Sequence, residues 1–180
     1  MVAAAAGAAF LAWLGASIIV LSDGRRGLAL GLAVASAGLA IVAWQSSGPF
    51  AAIAVLAGGG AAAFWQDRSG GGAWNVMPAG STPRTLLCVV AGLLALWVAA
   101  SVITAPGASQ RFAVLVVLAL AGGSVLSSDN IWGVRAAAAI LALAVADAAS
   151  LGGSSLWTFA AATIVAIGVS LLPMPKTNAA

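Results

Sequence analysis

What most restricts the fold of this chain is a succession of apolar runs, each roughly 17–20 residues long, separated by short breaks rich in Gly, Pro, Ser and charge. A helix rises about 1.5 Å per residue, so one such run covers the ~30 Å hydrocarbon core of a bilayer. The runs are 2–21, 28–44, 50–66, 85–104, 112–128, 131–149 and 156–172. They lack the alternating apolar/polar period of a membrane barrel strand, and a helix satisfies its own backbone groups in lipid. The expected fold class is all-α: a polytopic integral membrane helix bundle of about seven transmembrane helices. Gly58-Gly59-Gly60 loosens the third run and Arg135 and Asp147 interrupt the sixth, which leaves six spans as the alternative.

Composition agrees. Only 6% of residues are charged and 63% are hydrophobic, whereas a soluble domain needs roughly a quarter of its residues charged to cover its surface. The chain has no His, no Tyr, one Cys, and four Asp as its whole acidic complement. That inventory lacks the side chains of acid/base, nucleophilic and metal-assisted catalysis. No catalytic residue, cofactor site or metal site is expected, and the chain is not read as an enzyme. The basic residues are scattered rather than clustered, which argues against nucleic acid as a partner. Cys88 stands alone in an apolar run, as a small buried hydrophobe does.

The basic residues report topology. With the amino terminus outside, Arg25, Arg26, Arg68, Arg84, Arg135 and Lys176 fall on the cytoplasmic side and Arg111 outside. The carboxyl terminus is then inside, and the expected location is a bacterial cytoplasmic membrane. The first run has no basic residue ahead of it and no small-x-small cleavage pattern before Asp23, so it reads as a retained helix rather than a signal peptide. Trp44, Trp65, Trp132 and Trp157 fall at expected helix ends, where headgroups favour them, and Trp13 and Trp97 fall mid-helix as packing residues. Small residues recur every fourth position at Gly31 and Ala35, at Ala91, Ala95 and Ala99, and at Ala138, Ala142 and Ala146, which lets helices approach closely.

The chain reads as a single transmembrane domain, 1–180, in three parts: a three-helix unit at 1–66, a loop and linker helix at 67–111, and a second three-helix unit with tail at 112–180. Both triplets have the same orientation, a three-plus-one-plus-three parallel repeat. The first turns of the two triplets are Leu21 to Gly27, with Arg25 and Arg26, and Leu126 to Ile131, with Asp129 and Asn130.

Those two turns carry a resemblance. Val20-Leu21-Ser22-Asp23-Gly24-Arg25-Arg26-Gly27-Leu28 resembles the Arg-Arg-Asn-Leu turn that opens the second helix of the small K-type membrane subunit of respiratory complex I. Val125-Leu126-Ser127-Ser128-Asp129-Asn130-Ile131 resembles the Ser-x-x-Asn-Ile turn of its duplicated seven-helix relative in formate-hydrogenlyase-type membrane hydrogenases. Sugar transporters of the SWEET type are similar in layout only, because their proline-glutamine signature is absent. The K-type resemblance implies a membrane subunit of an ion-translocating redox complex. The family carries buried glutamates in a proton path, and the corresponding positions here fall near Ser36 and Ala139, which implies a scaffold or seal rather than a pump.

The leading functional expectation is therefore a non-catalytic membrane subunit of a larger complex, with lipid and other integral membrane subunits as partners and no small-molecule substrate identified. The alternative is a small membrane transporter or a substrate-binding transporter component, to which Ala4-x-x-x-Ala8 adds a similarity with energy-coupling-factor importers. Arg135 and Asp147 are the candidate partner or ion sites. They lie about 18 Å apart along one helix and cannot pair, and each is close enough to a helix end to be expected at the headgroups. Thr158, Thr163 and Ser170 are expected to bond their own helix carbonyls.

Overall fold

The computed structural model describes residues 2–68, 82–101, 107–128, 130–153 and 156–172, and all of its regular structure is helical. The seven helices are α1 (Val2–Leu21), α2 (Arg25–Ser47), α3 (Pro49–Arg68), α4 (Thr82–Ser101), α5 (Ala108–Ser127), α6 (Ile131–Ser150) and α7 (Leu156–Leu171). Five of them, α1, α2, α3, α5 and α6, are long and apolar enough to cross a bilayer, consistent with an integral membrane protein. The 16-residue α7 and the Thr82–Val98 part of α4 are shorter apolar helices.

Several boundaries differ from the apolar runs, because polar residues complete helix ends where water or other helices can satisfy them. α2 begins at Arg25, so Arg25 and Arg26 form its first turn rather than a loop. α3 runs unbroken through Gly58-Gly59-Gly60. Gly48 closes α2 with φ +89, donating its N–H to the Trp44 carbonyl, and Pro49 opens α3 at once. Only glycine adopts that left-handed backbone at little cost, and proline suits the first helical position because its missing N–H has no helical partner there.

The helices form two rows. α2 packs between α1 and α3, and α6 between α5 and α7. The rows stack in the same order, α1 on α5, α2 on α6 and α3 on α7, with α4 against α1 and α5. Bonds fix the directions. Asn130, before α6, donates to the carbonyl of Asp23, before α2, so the first turns of the two rows meet at one end. At the other end the Ser150 hydroxyl, closing α6, reaches Ser46 near the end of α2 at 3.4 Å. Arg84, at the start of α4, pairs with Asp23, while the indole N–H of Trp13 donates to the Cys88 carbonyl, so α4 runs antiparallel to α1.

Glycine sets the closeness of these contacts. A Cβ on Gly31 would lie 2.9 Å from the Gly15 carbonyl oxygen and from the Ile19 nitrogen, and a Cβ on Gly15, Gly38 or Gly59 would overlap Ala35, Ala12 or Ser36. In lipid, where apolar burial drives association only weakly, such close approach is a main source of helix packing. The Gly31 and Ala35 stripe is thus a packing face. Ala146 is buried while Ala138 and Ala142 are half-buried beside a groove of about 500 Å³ between α6 and α7. Trp97, expected as a packing residue, is 69% exposed and faces outward, whereas Trp13 is half-buried against Cys88. Cys88 is buried and free, as a small hydrophobe.

Candidate functional site

Ser36 and Thr163 lie partway along α2 and α7, but most polar side chains that bond between helices gather at the two ends of the bundle. At the first, Asn130 caps α6: its Oδ1 accepts the Trp132 N–H at 3.1 Å, its own N–H donates to the Ser128 hydroxyl at 3.3 Å, and its Nδ2 donates to the Asp23 carbonyl at 3.2 Å. The Asp23 carboxylate accepts from Arg84 at 2.8 Å, and these side chains are 37% and 47% exposed. An ion pair so exposed holds the helices weakly. A cavity of about 60 Å³ lies among Ser22, Asp23, Arg84, Ser128, Asn130 and Gly133, room for a few waters and no more.

Beside it, the Arg25 guanidinium stacks 3.7 Å from the Trp132 ring centroid, and Arg135 stands 5.4 Å from the same ring. Gln66, near the end of α3, donates to the Trp132 carbonyl at 3.0 Å. Arg135 is 7% exposed and donates to the carbonyl of Leu172, just past α7. Headgroup placement was expected for Arg135; the structure buries it, because one guanidinium can both cover the indole and cap an open carbonyl at the end of α7.

At the second end, Asp147 also departs from expectation. It is 0% exposed, facing the bundle interior rather than the headgroups, and among the described residues neither carboxylate oxygen has a hydrogen-bond donor. The physical reason is register: Ile140, Leu143 and Ala144, one and two turns earlier, are fully buried, so the next turn of that face is buried too. On α5 at the same end, Gln110 Nε2 and Arg111 Nη1 are buried without a partner among the described residues. Arg111 lines a groove of about 280 Å³ with Ala148 of α6 and Leu151, just past that helix.

Of the residues singled out from sequence, Arg25, Asn130 and Arg135 are thus brought around one ring, Trp132. Arg26 is exposed beside them, Asp129 lies outside the described residues, and Asp147 belongs to the opposite end. Trp132 and Gln66 are the contributors that sequence reasoning missed. Trp132 read as a headgroup anchor, and its place two residues after a capping Asn, opposite an Arg-Arg pair, was the available signal. Among the described residues no three His, Cys, Asp or Glu side chains come together.

Comparison with protein-family models gives no match to this chain, and comparisons with curated proteins and with solved structures give none either. Fold and site together define a class: an all-helical bundle of apolar helices, compatible with a multi-pass membrane protein.

Proposed function

We propose that the chain is a non-catalytic integral membrane subunit of a larger, ion-translocating redox assembly, in which it serves as scaffold or seal. The observation that carries this reading is the locking of the two rows to each other along their length. Asn130 to Asp23 and Arg25 to Trp132 join them at one end, Ser150 to Ser46 at the other, and Thr163 of α7 donates to the Ala54 carbonyl of α3 at 2.8 Å. A carrier that alternates access has to part its halves around a site near the midplane. A unit bonded across that seam at both ends and between suits a fixed structural role.

The stacking of α1 on α5, α2 on α6 and α3 on α7 supports the further proposal of a parallel duplication joined by α4, and with it the likeness to the duplicated K-type subunit. The same reading puts the Asp23 end in the cytoplasm, following the basic residues. Two measurements test the function. Extracted from its native membrane in mild detergent, the chain should run in an assembly several-fold larger than its own 17.4 kDa, with antiporter-like membrane subunits in fixed ratio. Reconstituted alone in liposomes, it should support no uptake of a small solute. Solitary migration together with robust uptake would overturn the proposal.

A further inference from the structure

Asp147 sits in surroundings that suit no carboxylate. Leu143, one turn earlier on the same face of α6, has its terminal methyls against Gly58 and Gly59 of α3. Ala136, Ile140 and Ala144 complete that face, each 0–1% exposed. An ionised carboxylate there needs donors on its oxygens, and the described residues offer none. The neutral acid needs no counter-ion.

Charged groups on the neighbouring helices narrow the possibilities. α1 and α7 carry none. On α2, Arg25 and Arg26 lie at the opposite end, as do Asp67 and Arg68 on α3 and Arg135 on α6 itself. Among the described residues, α5 alone brings a cation to the Asp147 end, Arg111, whose Nη1 lacks a partner there just as the Asp147 oxygens do. Gln110 Nε2 is a second unused donor on the same turn. Two neighbouring helices therefore hold unmatched donors and unmatched acceptors, and Arg111 lines the same groove as Ala148, the residue next to Asp147.

We propose that Asp147 is a proton-binding site, filled when the helices are packed in this arrangement and emptied toward the first turn of α5. On release the O–H bond of the acid breaks and the proton passes to water at that end. The electron pair stays on the carboxylate, which then accepts hydrogen bonds from Arg111 and Gln110. The proposal rests on the reading of the chain as a subunit of an ion-translocating assembly and goes beyond its scaffold role, naming a proton as the ion this subunit binds and Asp147 as the group that binds it.

A lipid-soluble carbodiimide tests it, because this reagent adds to protonated buried carboxyls and leaves a stable acylurea. Native membranes holding the whole assembly are treated with dicyclohexylcarbodiimide over a range of pH, and the modified residue is located by peptide mass spectrometry. Asp147 should take the label at mildly acidic pH, and labelling should fall about tenfold per pH unit once the site empties. Arg111→Gln, which removes the counter-charge of the emptied site, should carry the labelling to higher pH. Asp147→Asn should lose the label at normal yield, and should that variant fold poorly, the wild-type and Arg111→Gln profiles decide alone. An unlabelled Asp147 in an intact assembly would overturn the proton site and leave the subunit reading standing. Labelling that ignores both pH and Arg111→Gln would overturn it as well. A pH-dependent label on a chain that migrates alone would uphold the site and remove the subunit reading.

Discussion

The Arg25 guanidinium lies 3.7 Å from the centroid of the Trp132 ring, so the first turn of α2 is stacked on the first turn of α6. An arginine in this geometry gains from the negative face of the indole, and its apolar stem covers surface that would otherwise be open. Trp132 also faces Arg135 at 5.4 Å, so one ring serves two cations. We expect Trp132→Leu to cost about 1–2 kcal/mol, read as a lower thermal midpoint in detergent. In a double-mutant cycle, Arg25→Gln should add little to Trp132→Leu, since both remove one contact. Full additivity would mean that the stack contributes nothing.

The glycine triplet of α3 permits a contrast between adjacent residues. A Cβ on Gly59 would overlap the side chain of Ser36 on α2, whereas one on Gly60 would meet nothing within 4 Å. Gly59→Ala should therefore separate α2 from α3 and cost about 1–3 kcal/mol. Gly60→Ala should stabilise by roughly 0.5–1 kcal/mol, by raising helix propensity without a clash. Thermal unfolding of the two variants beside wild type checks the pair, and equal effects would contradict the packing of α3 on α2.

That contrast marks how far the sequence was legible. Apolar run length located all seven helices to within a few residues, because desolvation of the backbone leaves helix as the sole economical form in lipid. Which face of each helix packs was not readable in the same way. Gly58-Gly59-Gly60 looked like a weak point, yet two of its glycines are where α3 is approached by Ser36, Leu143 and Thr163. Thr163 was expected to bond its own helix and instead donates across to Ala54, while Ser170 does bond its own helix at Ala166. A hydroxyl has both options on any helix, and only the neighbour's position decides. For Arg135 and Asp147, distance to the helix end was known and azimuth was not. In an Ala-rich helix the sequence offers little contrast between lipid-facing and buried sides, so both looked interfacial.

Orientation is testable with single cysteines on a Cys88→Ala background, the native thiol being buried. Arg26 and Ser47 are exposed at opposite ends of α2. With the Asp23 end in the cytoplasm, Ser47→Cys should react with an impermeant maleimide on intact cells, and Arg26→Cys only after permeabilisation. The reverse pattern would invert the proposed topology and with it the side to which Asp147 releases its proton.

Asn130 performs two separable tasks, and two substitutions divide them. Its Oδ1 caps α6 by accepting from Trp132, and its Nδ2 ties that cap to the Asp23 carbonyl of the other row. Asn130→Asp keeps the acceptor, and an anion at a helix amino terminus is favourable, but the donor is gone. Asn130→Ala loses both. We expect Asn130→Asp to cost about 0.5–1.5 kcal/mol, the net worth of one hydrogen bond, and Asn130→Ala to cost about 1 kcal/mol more for the missing cap. The ranking wild type above Asp above Ala, in thermal midpoint, is the expected outcome. If Asp matches wild type, the bond to Asp23 does not help hold the rows together, and the proposed scaffold role loses one of the contacts on which it is built.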